Sequence, residues 1–301
     1  MQNLKILILL ISSLTLTLNA DSTKKTASFL QDISVTIKSE SDYSKSEGSG
    51  VLILRKIDEE DVTFVLTAAH VIDNLRSVRS VVDEKGGTRK VVEFRDAQIV
   101  KELVEKGRRV GEIKMDARVI KYSNYEHGHD VALLMVRAKN YGKNGAKFYA
   151  EHGENIVPIG TSLYHVGSLL GQMGANSMTS GIVSQVGRII GKVEYDQTTV
   201  TAFKGSSGGG VYTKDGRYVG MIVRGAGEGF NLMAPIRRIQ KWAQESEVEW
   251  CLNPKIKPPT IEEILSSPVE KSGFKSLSNE EEKSIESFFR DEGFPKLIKS
   301  F

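Results

Sequence analysis

Short segments rich in valine, isoleucine and leucine recur between residues 28 and 233, and glycine, aspartate, asparagine and serine separate them. Many short β-rich segments with turn residues between them indicate an all-β sandwich or barrel. In the first half these segments are Gly50–Leu54, Val62–Leu66, Val78–Val82, Val91–Phe94, Val119–Lys121 and Val131–Val136. In the second half they are Leu163–Val166, Gly181–Val186, Thr198–Ala202, Gly210–Tyr212, Tyr218–Val223 and Phe230–Met233.

The β-rich segments divide into two groups of about six, and a connection rich in glycine, asparagine and lysine near residues 138–155 separates the groups. Within the first group, Asp83–Thr88 lies between two valine-rich segments and predicts a hairpin turn. The pattern therefore predicts two β units of similar strand number, one before and one after this connection.

A different pattern begins after Pro235. Apolar residues there follow helical spacing and predict a closing helix that packs on the strands; they are Ile236, Ile239, Trp242 and Ala243. Four of the seven prolines lie between Pro254 and Pro268, which predicts an extended linker. Two weak helices are expected in the polar tail, starting at Thr260 and Ser278, each with glutamate three positions later as in a capping box.

The first twenty residues have the pattern of a secretory signal peptide. Lys5 is their one charge, an apolar stretch covers residues 6–18, and small or polar residues lead to Ala20. The apolar stretch is shorter than the roughly 18 residues that a spanning helix needs, although an uncleaved anchor is the alternative. We expect cleavage after Ala20 and a secreted or periplasmic protein without a stable membrane span.

These patterns predict four parts of the chain. Residues 1–20 are the signal peptide, residues 21–150 the N-terminal barrel, residues 151–250 the C-terminal barrel with its closing helix, and residues 251–301 the proline-rich linker and polar tail.

Composition and charge narrow the function classes. The 301 residues are 40% hydrophobic with a net charge of +3, and no run of five like charges occurs, so we expect no nucleic-acid partner. The single cysteine, Cys251, excludes an internal disulfide, and because no cysteine-centred motif surrounds it, we interpret it as an incidental thiol.

The segment Gly205–Gly209 surrounds Ser207 with glycines. A serine hydroxyl becomes a nucleophile when a base takes its proton, and the oxyanion formed on attack needs donors already aimed at it. Glycines allow the tight turn that presents backbone N–H groups to a substrate. On its own the segment is more typical of a flexible glycine/serine loop.

Two further segments carry an imidazole and a carboxylate. His70 follows a β segment that ends in Thr67-Ala68-Ala69, and its unperturbed pKa lies near neutral pH, as a general base requires. Asp130 stands directly before the apolar segment Val131–Leu134, where a carboxylate is costly without a partner. An imidazole N–H is a suitable partner. A structural histidine and a strand-capping aspartate are the simpler interpretations.

Together, Thr67–His70, Asp130–Leu134 and Gly205–Gly209 resemble, in order and spacing, the motifs of trypsin-like serine peptidases. The flanking segment Gly48–Val51 resembles the strand that leads to the histidine in this family. Thr179–Ser184 resembles the segment upstream of the serine in the disulfide-free bacterial HtrA/Deg-like branch. Those relatives usually carry a PDZ module after the peptidase domain, whereas a proline-rich linker and a short tail follow here.

The resemblance implies two six-stranded antiparallel β-barrels with a C-terminal helix and a short helical tail, and a catalytic triad between the barrels. His70 would be the general base and acid, Asp130 would orient it, and Ser207 would attack the carbonyl of a polypeptide substrate. An oxyanion hole would lie at Gly205, Ser206 and Ser207. The reaction would need no cofactor and no metal, and the oligomeric state is left open.

The resemblance also assigns a substrate-binding pocket. Its residues would be Thr201, Val223, Arg224 and Gly225. Lys204, which is basic and adjacent to the oxyanion loop, is a further candidate for substrate contact, with exposure to solvent as the alternative. No carboxylate lies at the base of this pocket, which argues against a preference for arginine or lysine. A neutral pocket would favour small or medium apolar side chains, whereas Arg224 could instead attract an acidic residue or point to solvent.

Two other functions compete with an active serine endopeptidase. One is a catalytically silent protein of the same fold that binds a partner through the cleft or the tail. The other is a zinc hydrolase centred on His127, His129 and Asp130, although His152 and His165 offer no clear further ligands.

Overall fold

The computed structural model describes residues 23–82, 86–124, 128–149, 156–190, 192–225, 229–270 and 299–300 of the chain. The predictions for residues 1–20 and for a helix starting at Ser278 concern residues outside these ranges.

The first half of the chain contains eight strands. They are β1 (Ser34–Glu40), β2 (Lys45–Ile57), β3 (Glu60–Thr67), β4 (Arg76–Val82), β5 (Thr88–Phe94), β6 (Ala97–Glu105), β7 (Arg108–Ser123) and β8 (Val131–Val136). Six of them close into a barrel in the order β1-β2-β3-β8-β7-β6, with antiparallel pairing throughout. Alternate residues of each strand point into the barrel, and the residues that do so are mostly apolar, so they form its core.

Two of the predicted segments are strands but do not belong to this barrel. Val78–Val82 and Val91–Phe94 fall in β4 and β5, which pair only with each other as a separate hairpin. β4 is largely exposed, so its valines mark a strand without marking a core position. The barrel uses β1 and β6 in their place, and sequence analysis missed both strands. In β1 the polar residues Ser34, Thr36 and Ser39 are buried as well as the apolar ones, so the polar/apolar pattern does not reveal its role in the core.

The second half contributes another set of antiparallel strands. They are β9 (Lys147–Phe148), β10 (Ser162–Leu169), β11 (Gly174–Ile190), β12 (Val193–Thr198), β13 (Gly210–Thr213), β14 (Arg217–Gly225) and β15 (Asn231–Pro235). Six of these strands form a ring in the order β13-β10-β11-β12-β15-β14, which the β13–β14 pairing closes. β9 and β16 (Lys299–Ser300) add to β14. The predicted segment Thr198–Ala202 was misplaced, since the strand covers Val193–Thr198 and a loop follows it.

Five helices complete the described chain. They are α1 (residues 23–32), α2 (Ala69–Ile72), α3 (Ile236–Glu245), α4 (Glu249–Leu252) and α5 (Ile261–Ser266). α3 buries all four of the residues that its spacing predicted, and the Thr260 capping box of α5 is present with both hydrogen bonds. The all-β fold class with a C-terminal helix is thus confirmed. None of the helices within the described ranges is long and apolar enough to span a membrane.

α1 was not predicted, and it bridges the two barrels. Gln31 Nε2 donates to the Asn176 carbonyl of β11 at 3.0 Å, while Asp32 pairs with Lys101 of β6 at 2.8 Å. Leu30 of this helix is fully buried. The interface between the barrels is therefore braced from the N-terminal side.

The segment predicted as an extended linker lies along the first barrel. Lys121 Nζ of β7 donates to Ser267 Oγ at 2.6 Å and to the Pro268 carbonyl at 2.8 Å. Arg76 makes a two-point ion pair with Glu270 at 2.6 and 2.9 Å. Residues up to 270 therefore add contacts to the barrel that carries Asp130.

A buried histidine stands behind the second-barrel loop that contains Ser207. His165 of β10 is 0% exposed, and its Nδ1–H donates to the Gly210 carbonyl at 3.0 Å. Its Nε2 has no hydrogen-bond partner among the described residues. Burial lowers the pKa of His165 to about 4, because an imidazolium in the core loses its hydration.

We predict that the fold loses stability below neutral pH through His165. The unfolded state takes up a proton near pH 6.5 and the folded state only near pH 4, so the stabilisation is complete above pH 6.5 and declines as pH falls towards 4. The loss expected from this group is about 2 kcal/mol at pH 5.

Urea unfolding at pH 7.5 and pH 5 measures this loss in the native chain and in His165→Asn, which keeps a donor for the Gly210 carbonyl. The variant should show the smaller difference between the two pH values. Equal differences in both proteins would contradict the assignment.

Candidate active site

Two adjacent strands of the first barrel bring His70 and Asp130 together. β3 ends at Thr67, and after the extended residue Ala68 the chain enters α2, whose second residue is His70. β8 pairs with β3, with Thr67 opposite Ala132, so Asp130 immediately before β8 lies at the same end of the barrel. The order of residues along each strand thus places a base beside a carboxylate.

The imidazole of His70 is held by Asp130 through two kinds of hydrogen bond. Its Nδ1–H points at both carboxylate oxygens, at 2.9 Å to Oδ2 and 3.0 Å to Oδ1. The backbone N–H of His70 donates to Oδ1 at 3.1 Å. Asp130 is 2% exposed. Burial works to raise the pKa of Asp130, but the charge and hydrogen bonds of His70, with the charge of Arg238, outweigh it and leave the pKa below its usual value.

Asp130 has a left-handed backbone, with φ of 54°. That conformation costs energy for a residue with a side chain, and surrounding contacts must hold it. The preceding amide, His129 N–H, donates to Ser123 Oγ at 2.8 Å, and the carbonyl of His129 accepts from Arg238 Nη2 at 2.5 Å. The carboxylate is therefore aimed by its backbone as well as by His70.

Ser207 of the second barrel completes the hydrogen-bonded chain. Its Oγ lies 2.7 Å from His70 Nε2. The loop around it turns through Gly205 at φ of 94° and Gly208 at φ of 81°. A Cβ on Gly205 would lie 2.3 Å from the Ser168 carbonyl oxygen, and one on Gly208 would lie 2.2 Å from that of Ser49, so only glycine fits at either position. Ser207 is 0% exposed in this arrangement.

Ser49 of β2 joins the first barrel to the loop of Ser207. Its backbone N–H donates to the Ser207 carbonyl, its hydroxyl donates to the Gly205 carbonyl, and the Ser168 N–H donates to that hydroxyl, each at 2.7 Å. Sequence analysis quoted this serine only as part of a flanking strand. The small residues Gly48 and Gly50 beside it were the available signal, since a Cβ at Gly48 would lie 2.5 Å from Val71.

The peptides of this loop are oriented by hydrogen bonds on its inner side. The Lys204 carbonyl accepts from Leu170 N–H at 2.7 Å, and the Ser206 carbonyl accepts from Gly209 N–H at 2.9 Å. In a trans peptide the N–H of the next residue points the opposite way. The N–H groups of Gly205 and Ser207 therefore point to the side opposite the Lys204 and Ser206 carbonyls, away from the donors Leu170 and Gly209.

Ser206 does not fit the expectation that it contributes to an oxyanion hole. Its N–H donates to the Phe203 carbonyl at 2.9 Å, and its hydroxyl accepts from Phe203 N–H at 3.1 Å. The amide is therefore engaged within the turn, and the residue braces the loop.

The predicted pocket residues lie on two segments beside Ser207. Gly208 N–H of the serine loop donates to the Ile222 carbonyl of β14 at 2.8 Å. Val223–Gly225, the next residues of β14, therefore lie beside the loop that carries Ser207. Val223 is buried and Arg224 is half-buried. On the second segment, Thr201 is half-buried and Lys204 is exposed.

β16 pairs with the same part of β14. Ser300 lies opposite Arg224 and Lys299 lies opposite Gly225, in antiparallel register. β15 covers the other edge of β14, where Arg224 is opposite Leu232. The chain's own residues 299–300 therefore occupy the edge of the predicted pocket strand.

The side chains considered for metal binding or for a reactive thiol are arranged differently from His70, Asp130 and Ser207. His129 Nε2 lies 2.9 Å from Glu245 Oε2, and His127 is outside the described residues. Across the described ranges, no group of three His, Cys, Asp or Glu side chains is arranged to hold a metal ion. Cys251 is buried, and burial raises the pKa of its thiol, which disfavours a reactive thiolate.

Comparison with solved structures identifies the same fold in bacterial and related proteases. A serine endoprotease from Yersinia pestis is 19% identical with a TM-score of 0.51, over 75% of this chain and 66% of the other. Deg5 is 17% identical with a TM-score of 0.53, over 77% and 96%. The HtrA-type protease AlgW, as a serine-to-alanine variant with a tripeptide, is 18% identical with a TM-score of 0.52, over 75% and 64%.

This chain thus spans about two thirds of the length of the Yersinia endoprotease and of AlgW. A search of curated protein sequences gives no match. The family described as the trypsin-like peptidase domain matches residues 48–221. Because that match covers more than half of the chain, the chain belongs to the trypsin-like peptidase family.

Proposed function

We propose that this protein is a serine endopeptidase that hydrolyses peptide bonds through an acyl-enzyme. The observation that carries the proposal is the continuous hydrogen-bonded chain from Asp130 through His70 to Ser207 Oγ, with no distance above 3.0 Å between the side chains. This arrangement matches a nucleophile beside a base that a third group orients.

In the proposed first half-reaction, Ser207 Oγ attacks the scissile carbonyl and its proton passes to His70 Nε2. The carbonyl oxygen becomes an oxyanion, which the amides of Gly205 and Ser207 stabilise. As the C–N bond breaks, His70 gives the proton to the leaving amine and an ester remains on Ser207. In the second half-reaction, water attacks the ester, His70 takes the proton of that water, and Ser207 recovers its hydrogen on release of the acid.

Asp130 has two roles in this scheme. It accepts the Nδ1–H of His70, which keeps Nε2 free to take the proton of the serine. Its negative charge also stabilises the imidazolium that forms during each half-reaction. The low pKa of Asp130 keeps the carboxylate ionised when the imidazole becomes charged.

The substrate is proposed to be a polypeptide whose chain lies along Val223–Gly225. An extended peptide can add to a strand edge through backbone hydrogen bonds, and here it would take the place of β16. Thr201 and Lys204 would contact the side chain before the scissile bond, and the lack of a carboxylate among these residues disfavours arginine and lysine there. Arg224 would favour an acidic side chain nearby.

The proposed division of the chain near residue 150 is supported by backbone contacts. Ala146 N–H donates to the Leu52 carbonyl of the first barrel, whereas Tyr149 N–H donates to the Tyr218 carbonyl of the second. Export by residues 1–20 stays a prediction from the sequence, because these residues lie outside the described ranges.

We predict that Ser207→Ala lowers kcat by about 10⁶-fold and Asp130→Asn by about 10⁴-fold. The first change removes the nucleophile, and the second favours a tautomer that cannot take the serine proton. Casein and fluorogenic peptide cleavage measures both losses, and Ser184→Ala in β11 is the matched control.

Labelling with a fluorophosphonate separates the competing functions. An active peptidase should be labelled at Ser207 and retain activity in EDTA. Folded native protein that resists labelling would favour a silent binding protein, and activity lost in EDTA but not with the label would favour a zinc hydrolase.

A second prediction concerns Ser49. Ser49→Ala leaves the Gly205 carbonyl and the Ser168 N–H without their hydroxyl partner, so the loop that carries the proposed oxyanion donors should lose its fixed orientation. We expect kcat to fall about 10-fold or more. Thr63→Ala is the control, because it removes a buried hydroxyl bonded to Gly142 N–H away from the triad. Equal rates in both variants would show that the Ser49 contacts do not matter to turnover.

A third prediction concerns β16. If substrate uses the β14 edge that residues 299–300 now occupy, the two must compete. Replacing Lys299 and Ser300 together by proline removes the strand's N–H donors. We expect KM for a peptide substrate to fall several-fold with little change in kcat. The alanine pair, which keeps both N–H groups, should resemble the native chain, and an unchanged KM in the proline pair would refute competition.

A further inference from the structure

Arg238 is a buried arginine at the interface between the two barrels. It lies on α3 and is 6% exposed. Its Nη1 donates to the Glu194 carbonyl of β12 at 2.8 Å, and its Nη2 donates to the His129 carbonyl at 2.5 Å. The guanidinium carbon lies 4.7 Å from the ring centre of Tyr195.

The surroundings of this charge are unusual. Within the described part of the chain, no carboxylate lies within 4 Å of the guanidinium, and Nε has no hydrogen-bond partner. Burial lowers the pKa of Arg238; Tyr195 and then the charge of Asp130 oppose that effect, and Arg224 adds to it. The guanidinium is therefore held in the core by two backbone carbonyls and an aromatic ring, and no adjacent carboxylate among the described residues neutralises its charge. That leaves the charge able to act on Asp130 at longer range.

The first contact of interest is with the peptide that precedes Asp130. The φ angle of Asp130 is set by the orientation of the His129–Asp130 peptide, whose carbonyl Arg238 binds. Ser123 Oγ holds the other side of the segment through His129 N–H. The left-handed backbone of Asp130 is thus fixed between the first barrel and a side chain from the second-barrel helix.

The second contact is electrostatic. Among the described residues, only His70 hydrogen-bonds the Asp130 carboxylate, and the charge of Arg238 adds a smaller contribution at longer range. Arg238 supplies a positive charge there. A nearby cation favours the ionised carboxylate and disfavours the imidazolium, so its removal should make the His70–Asp130 pair hold a proton to higher pH.

We propose that Arg238 is a positioning residue for the His70–Asp130 pair, aiming the carboxylate through the His129 carbonyl and adjusting the charge balance of the pair. The inference rests on the proposed peptidase function for its kinetic consequences. It also makes a prediction about the pair itself that needs no turnover.

Arg237 provides a matched control. It is the preceding residue of α3 and also binds β12, through Glu194 and Asp196 at 2.6 Å each. It does not contact His129. A merely structural role for Arg238 would leave the pH dependence and the titration of the His70–Asp130 pair unchanged, as in the Arg237 variant.

The experiment compares Arg238→Met, Arg238→Lys and Arg237→Met. Peptide cleavage is followed from pH 5 to 9, thermal unfolding reports stability, and proton NMR follows the titration of the pair and its low-field Nδ1–H signal. The other titratable or charged groups near Arg238 and His129 are Tyr195, Arg224, Lys241 and Glu245, and all of them are unchanged in these variants.

We expect Arg238→Met to lower kcat by about 10- to 100-fold with KM within about 2-fold, and to move the acid limb of kcat/KM up by about half a pH unit or more. The NMR titration should move in the same direction. Arg238→Lys keeps the charge without the planar fork, so it should retain the native acid limb with an intermediate kcat. Arg237→Met should lower only the unfolding temperature.

The inference is wrong if Arg238→Met and Arg237→Met share the same acid limb and NMR titration. If Arg238→Met does not fold, a native kcat in Arg238→Lys would equally overturn it. A native chain that neither cleaves peptides nor reacts with fluorophosphonate would refute the peptidase proposal, and the NMR comparison would still decide the role of Arg238.

Discussion

The burial of an ionised carboxylate at Asp130 is the constraint on which the site depends. A charge with 2% exposure is stable only if nearby groups replace its hydration. His70 does so through its ring and its backbone N–H, and Arg238 adds charge from the other barrel. The hydrogen bonds that stabilise the buried charge of Asp130 are the same ones that orient the imidazole of His70.

The barrels must hold a fixed relation for this arrangement to work, since Ser207 comes from the second barrel and His70 from the first. Ser49 ties the serine loop to β2, α1 bridges the barrels on one side, and Arg238 bridges them near Asp130. Hydrogen bonds have a preferred direction, so these contacts fix the orientation of one barrel relative to the other. Apolar packing inside each barrel has no such preference and would tolerate small rotations of the barrels. The polar interface therefore determines how Ser207 is positioned relative to His70.

Much of this protein could be predicted from its motifs. The residues around His70, Asp130 and Ser207 are local signals, because a glycine-rich turn or a carboxylate before an apolar strand is visible within a few positions. Arg238 and β1 carried no such signal, and Ser49 was marked only by the glycines beside it, since their roles come from partners more than a hundred residues away or from buried polar side chains. The valines of β4 led to the opposite error, a strand wrongly assigned to the barrel. Strand propensity predicts a strand but does not identify the strand with which it pairs.

By itself the sequence determined the all-β class, the closing helix and three candidate residues, because strand composition, helical spacing and turn glycines act over short distances. The tertiary structure decided which strands close the first barrel, which amides of the serine loop are engaged, and that residues 299–300 lie along β14. It also decided that Arg238 reaches the peptide before Asp130. These features depend on long-range pairing and on burial, which assign each donor its acceptor only once the chain has folded.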